Sequence, residues 1–252
     1  MLVWQPMSMG AVMNTPTMGM RAPLFLAVWV VMMVAMMFPS VGPMILTFHK
    51  VQAGKRARGE IFVSTWVFVA AYLLVWSLSG VLAYAVALAA EAIASHAALS
   101  AATAARIGGA LLIIAGAYQL SPLKNLCLAK CRTPLTFILS SWRNGIWGAV
   151  RMGMEHGVFC LGCCWLLFLV LFALGIMNIA AMVVITLIVF AEKTLPWGRL
   201  VPRTTAAALV AYGALVIAAP QVLPTFPAGG NMVMPAEMQM PMPMPGSATS
   251  AR

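Results

Sequence analysis

Five cysteines are the residues whose types and spacing most directly suggest chemistry in this chain. They fall in two short segments, which hold Cys127 and Cys131, and Cys160, Cys163 and Cys164. Residues four apart on an α-helix share a face, so each segment predicts a row of thiols, and His156 extends the second row by one turn. Thiolate favours Cu(I), Zn(II) or iron–sulfur clusters over hard cations. A single cysteine is often only a small buried apolar residue, but two compact groups with no cysteine elsewhere favour a metal or redox site.

Methionines in the first apolar stretch offer a second kind of soft ligand. Met36 and Met37 share a predicted helical face with Met33, and thioethers bind Cu(I). Methionine also fills protein cores as a flexible apolar residue, so both interpretations stay open. We expect Pro39 and Pro43 to break or kink this helix and to free backbone carbonyls beside a cavity.

Glu192 is an ionisable residue at predicted membrane depth. The segment from Ile179 to Lys193 has 15 residues, or about 22 Å of helix, which is shorter than the hydrocarbon layer. Glu192 therefore lies at or just inside the inner boundary and is a candidate ligand. In the alternative, Lys193 extends to the membrane surface and Glu192 pairs with a neighbouring base.

Composition indicates the elements that must position these residues. Of the 252 residues, 63% are hydrophobic and 8% are charged, against about 25% charged in a soluble domain. Aspartate is absent, which argues against carboxylate-rich sites for Ca²⁺ or Mg²⁺. The net charge is +10, but the basic residues lie in short clusters between apolar runs and do not form a nucleic-acid-binding face.

The fold class predicted is an all-α, polytopic membrane bundle. Six stretches approach the length of a membrane span, at residues 24–48, 61–89, 107–123, 157–176, 179–195 and 205–223.

Residues 134–150 form a seventh apolar segment, and we interpret them as an interfacial helix because a span here would bury Arg143. With six spans, twelve basic residues lie inside and three outside, which predicts a multi-pass protein of the inner (plasma) membrane with both termini outside. The predicted division is an external Met-rich tail (1–22), a membrane domain (23–223) and a disordered external Met/Pro-rich tail (224–252).

Several blocks of the sequence resemble the bacterial family of predicted metal-binding integral membrane proteins, a domain of unknown function. The blocks are AMMFPSVGPM (35–44), AGAYQLSPLKNLCLAKCR (115–132), RMGMEHGVFCLGCCW (151–165), GIMN (175–178) and AEK (191–193). The resemblance implies a multi-span helical protein with a metal site on its cysteines, and it places His156 and Glu192 in matching blocks.

These observations lead to one principal hypothesis and two alternatives. The first is handling of a soft metal, most directly Cu(I) with Zn(II) as a second choice, through a Cys/His site on the cytoplasmic side. Its partners would be the lipid bilayer and a periplasmic metal carrier or a membrane oxidase, and no nucleic acid. The alternatives are a membrane thiol–disulfide relay and a non-catalytic accessory or assembly subunit. Without an HExxH motif, a phosphate-binding loop or a Ser/His/acid set, the sequence favours a protein that is not an enzyme.

Overall fold

The structure is a computed structural model, and it describes residues 17, 19–96, 100–175, 178–195 and 200–222. The tail predicted from residue 224 lies outside the described residues, as do residues 1–16 and 18 of the N-terminal tail. The described part of the chain is helical and contains no strand, so the all-α prediction is confirmed. Its helices are α1 (Ala22–Ala57), α2 (Thr65–His96), α3 (Ala101–Gln119), α4 (Pro122–Arg132), α5 (Pro134–Ser141), α6 (Gly145–Leu174), α7 (Ile179–Thr194), α8 (Leu200–Ala218) and a 3₁₀ turn at Pro220–Val222.

Four of these helices are long and apolar enough to cross a membrane, namely α1, α2, α6 and α8. Helices α3 and α4 meet the same criteria of length and apolar character only as a pair, bent by 63° at the break between them, which gives up to five spans. Helix α7 has 16 residues, or about 24 Å, and is too short to count. The prediction of six spans is therefore not confirmed.

The third predicted stretch ends earlier than expected. It was expected to continue to residue 123, but α3 ends at Gln119 and a new helix begins at Pro122. The Ser121 side chain caps α4 by accepting a hydrogen bond from the Lys124 backbone N–H. Proline has no N–H to donate and is well suited to the first turn of a helix, so Ser-Pro here starts a helix rather than continuing one. Cys127 and Cys131 thus lie on a separate helix that the bend can direct toward α6.

The single interfacial helix predicted over residues 134–150 is wrong. Helix α5 stops at Ser141, Trp142 has an extended backbone, and α6 begins at Gly145 and continues to Leu174. Gly145 has φ of 81°, a conformation that residues with a side chain rarely adopt, and it separates the two helices. Residues 145–150 therefore belong to the long helix that carries the second cysteine segment.

Helix α1 continues through Pro39 and Pro43 to Ala57, so the expected break does not occur. Each proline removes one N–H donor, and the packing of α1 against α2 and α7 holds the remaining turns together. The methionine face is buried, as Met36 and Met37 are 3% and 1% exposed.

Helix α6 lies at the centre of the bundle and contacts α2, α3, α4 and α7. Aromatic pairs join the helices at two levels, with Phe48 and Phe68 stacked at 4.9 Å and Trp76 and Phe168 edge to face at 5.3 Å between ring centroids. Helices α3 and α8 pack closely: a Cβ added to Gly213 would stand 2.6 Å from the carbonyl oxygen of Gly109. Small residues allow such close packing between helices in membranes.

This close packing gives a test of the fold. We expect Gly213→Ala to lower the stability of the solubilised protein by about 1–3 kcal/mol, because the added methyl group must displace backbone. Gly42→Ala is the matched control, since nothing lies within 4 Å of a Cβ at Gly42, and it should be neutral or stabilising by up to about 1 kcal/mol. Thermal unfolding in detergent measures both. Equal melting temperatures for the two variants would contradict the close approach of α3 and α8.

Candidate metal centre

The second cysteine segment lies on the most buried part of α6. Cys160, Cys163 and Cys164 are each no more than 1% exposed, and His156 is 2% exposed one turn earlier. The helical spacing that the sequence indicated is the spacing found, because α6 runs without interruption through all four residues. These side chains therefore point into the protein, away from surrounding lipid or water.

Helix α4 brings the first cysteine segment against α6. The thiol of Cys131 interacts with the thiols of Cys160 and Cys163. Cys127 lies beside Gly162, where an added Cβ would stand 2.8 Å from the Cys127 sulfur. The missing side chain of Gly162 is what permits this approach, and the Tyr118 hydroxyl fixes α3 to the same turn by donating to the Gly162 carbonyl. Thiols from two separate helices therefore come into contact.

The thiols of α6 are satisfied by their own helix in this structure. The Cys163 thiol donates to the Cys160 carbonyl oxygen at 3.1 Å, and the Cys164 thiol donates to the same oxygen at 2.9 Å. In this arrangement both Sγ atoms approach the same backbone oxygen, whereas the Cys160 sulfur approaches other groups.

The Cys160 sulfur has two polar neighbours that the sequence did not single out. The Lys193 ammonium donates to it at 3.0 Å, and the Tyr72 hydroxyl lies 3.1 Å from it. Lys193 also donates to the Ser40 hydroxyl at 3.3 Å, and its side chain is buried. The expectation that Lys193 extends to the membrane surface is therefore wrong, because the ammonium is held inside the bundle by a sulfur and a hydroxyl. In the sequence, the feature that pointed to Lys193 is its position directly after Glu192, the candidate ligand.

Glu192 pairs with a base, as one of the two sequence interpretations required. Its Oε2 lies 2.7 Å from the Lys124 ammonium, and both side chains are 1% exposed. Lys124 also donates to the Gln119 amide oxygen, so the pair sits at the break between α3 and α4. The other carboxylate oxygen, Oε1, has no hydrogen-bond partner among the residues that the structure describes. Whether Glu192 binds a metal stays a prediction, and its ion pair joins α4 to α7.

His156 occupies an aromatic pocket. The rings of Phe68, Tyr72 and Phe137 lie 5.3 to 6.1 Å from its own, measured between centroids. Its Nδ1 is buried, and no hydrogen-bond partner for it lies in the described part of the chain. A buried imidazole nitrogen with no partner is costly, and it remains available to a metal ion or a rotated thiol.

The predicted thioether ligands lie in the core of α1. Met36 and Met37 pack with the main hydrophobic cluster, and Ser40, one turn further along the helix, is the residue that contacts Lys193. The structure thus links this face of α1 to Cys160 through Lys193, and the two methionines stay predicted ligands.

The donors gathered here are soft. Cu(I) is favoured by thiolate and thioether sulfur, and the Cys131 thiol interacts with those of Cys160 and Cys163. Within the described ranges, no group of three or more His, Cys, Asp and Glu side chains is arranged to hold a metal ion.

The structure belongs to the class of all-helical bundles whose helices are long enough to cross a membrane, and its thiols are a donor type suited to a soft metal. Comparison with known protein families identifies the family: the PpoB2 model, described as a copper chaperone, matches residues 26–216. The match covers most of the chain, and the chain belongs to this copper chaperone family. The copper relation expected from the sequence is therefore confirmed at the level of the family.

No curated protein matches the chain. No solved structure matches it either.

The ion pair between Lys124 and Glu192 gives a second prediction. Removing one partner, as in Glu192→Gln or Lys124→Met, leaves a buried charge uncompensated and should destabilise the protein by about 3–5 kcal/mol. The double variant Lys124→Met/Glu192→Met removes both charges and should recover most of that loss. Thermal unfolding of the solubilised variants measures the difference. Additive losses in the double variant would show that the two residues do not act as a pair.

Proposed function

We propose that this protein binds copper as Cu(I) at the thiols that α4 and α6 bring together inside a membrane-embedded bundle, and passes it to a partner. The observation that carries the proposal is the contact between Cys131 on one helix and Cys160 and Cys163 on another. Membership of the copper chaperone family supports copper as the cargo. The length and apolar character of the helices support a location in the membrane.

The chemistry follows from the donor types. Each thiol gives up its proton when it binds a metal ion, so binding releases protons and depends on pH. The sulfurs of Cys131 and Cys160 form the first pair of ligands. Cys163 and Cys164 follow once their S–H groups turn away from the Cys160 carbonyl, and the unpartnered Nδ1 of His156 is a further donor on the same helix.

The remaining features fit a path for copper through the protein. Met36 and Met37 lie on the buried face of α1 that contacts Lys193 through Ser40, and thioethers bind Cu(I) weakly enough to pass it on. We place the thiols toward the cytoplasm and the Met-rich tails outside, as the distribution of basic residues predicts. A periplasmic metal carrier would supply the copper and a membrane oxidase would receive it, or the reverse.

The same thiol contact also favours a second candidate, a thiol–disulfide relay, because Cys131 and Cys160 could form a disulfide. Counting free thiols after mild oxidation and again after reduction distinguishes the two. A relay cycles reversibly without copper, whereas a copper site should be protected from oxidation when it is loaded.

The test of copper binding uses the full chain, purified in detergent and loaded anaerobically with Cu(I) in the presence of a competing Cu(I) chelator. We expect Cys160→Ser and Cys131→Ser to weaken binding by about 100-fold or more, because loss of even an outer-shell partner costs about 10–100-fold. Cys127→Ser is the matched control: its sulfur packs against Gly162 at the edge of the site, and its effect should be the smallest of the three.

Elemental analysis of the same samples gives the copper content. Equal copper affinity in the wild type, Cys131→Ser and Cys160→Ser would overturn the proposal. An unfolded variant is recognised by gel filtration, and Cys→Ala at the same position then replaces it.

A further inference from the structure

We propose that the cleft between the end of α1 and the start of α2 is a binding site for the phosphate group of an anionic phospholipid. The cleft has a volume of about 230 Å³ and lies beside the linker that joins the two helices. Its lining residues fall within 49–56 and 62–66 and include none of the cysteines. This site and the copper site are therefore independent, and either can be absent without the other.

One wall of the cleft is a face of α1. His49, Gln52 and Arg56 follow one another at intervals of three and four residues, so they share one face of the helix and line the cleft together. The Arg56 guanidinium lies over the Phe62 ring, 5.3 Å from its centroid, and this contact orients the guanidinium beside the cleft. The donors of an arginine form a fork that matches the oxygens of a phosphate group.

The charge of Arg56 is not neutralised by the protein. Among the described residues, no acidic side chain lines the cleft, and Arg56 forms no ion pair with a carboxylate. Glu60, the nearest acid in the sequence, lies outside the lining and pairs with Arg58 at 2.6 Å. The cleft therefore offers a positive charge and hydrogen-bond donors to an anion from outside the chain.

Gln52 gives a second, independent indication of a ligand. Its side chain is only 6% exposed, and its Oε1 accepts a hydrogen bond from the Val63 backbone N–H at 3.1 Å. This bond fixes the orientation of the amide and leaves Nε2 as the polar atom that can face the cleft. No acceptor for Nε2 lies in the part of the chain that the structure describes. Buried amide donors normally have a partner, and a phosphate oxygen would supply one.

The opposite wall of the cleft is the start of α2, where Ser64, Thr65 and Trp66 line it. The first N–H groups of a helix have no acceptor within the helix, and they attract anions. The Nδ1 of His49 lies 3.2 Å from the Thr65 hydroxyl, which leaves the other ring nitrogen of His49 for a ligand. Donors from both helices therefore converge on the same space.

The surroundings of the cleft favour a phospholipid as the source of the phosphate. Helix α1 has 36 residues, whereas about 20 residues cross the hydrocarbon layer, so its basic last turns reach the headgroups. Ile61 and Trp66 are 86% and 77% exposed, and tryptophan prefers the membrane interface. Basic pockets between membrane helices suit the headgroups of anionic lipids.

The experiment titrates the full chain in detergent with short-chain phosphatidylglycerol, and with short-chain phosphatidylcholine as the lipid without net charge, and follows binding by native mass spectrometry. Arg56→Gln should weaken binding of phosphatidylglycerol by roughly 10–100-fold, because a hydrogen bond between charged groups is lost. Gln52→Glu keeps an acceptor for the Val63 N–H but places an anion in the cleft, so it should also weaken binding. Arg58→Gln is the matched control: it removes the same charge from a side chain that Glu60 already pairs, and it should leave the affinity nearly unchanged.

Equal losses in Arg56→Gln and Arg58→Gln would overturn the site, and so would equal affinities of the wild type for the two lipids. Arg56 and Arg58 are both exposed, so neither change should unfold the protein, and their comparison is decisive even if Gln52→Glu is not monodisperse. Inorganic phosphate, added as a competitor, tests the source. Phosphate that displaces the lipid only at a far higher concentration supports a phospholipid, whereas phosphate that binds through Arg56 as tightly as the lipid would overturn that assignment.

Discussion

The contact between the Lys193 ammonium and the Cys160 sulfur is the interaction on which the arrangement of the site depends. It joins α7 to α6 at the level where α4 also reaches α6, and it links both to α1 through Ser40. A charged group buried among apolar helices has few tolerable positions, so this contact restricts how the four helices can pack. The second buried lysine, Lys124, imposes a similar restriction between α4 and α7. Two ammonium groups, each with its own acceptor, therefore fix the position of the helix that supplies Cys131.

Much of this architecture could be predicted from the sequence, because apolar length and helical spacing are local properties. The all-helical class and the burial of the row from His156 to Cys164 followed from these signals. The start of α3 also has a local signal, because Ser100 caps that helix by accepting from the Thr103 backbone N–H, although the predicted stretch began at residue 107. Such features need no knowledge of which helices become neighbours.

The errors occurred where tertiary contacts or backbone geometry decide the outcome. One of the two interpretations of Glu192 placed Lys193 at the membrane surface, whereas contacts from α6 and α1 hold its ammonium inside the bundle. Continuity of α1 through Pro39 likewise depends on the helices packed against it. The breaks at Ser121 and near Gly145 did have local signals, a Ser-Pro step and an Asn-Gly step, but apolar runs on both sides concealed them. The pairing of Lys124 with Glu192 could not be read from a single sequence, because the two residues are far apart along the chain.

The Cys160 carbonyl bears on how copper would leave the site proposed here. The Sγ atoms of Cys163 and Cys164 both lie within hydrogen-bond distance of this one oxygen. A copper ion that recruited either thiol would first break its hydrogen bond, and re-formation of that bond would favour departure of the ion. Such a site would give up some tightness of grip for readiness to hand over, which is the balance that delivery requires and permanent storage does not.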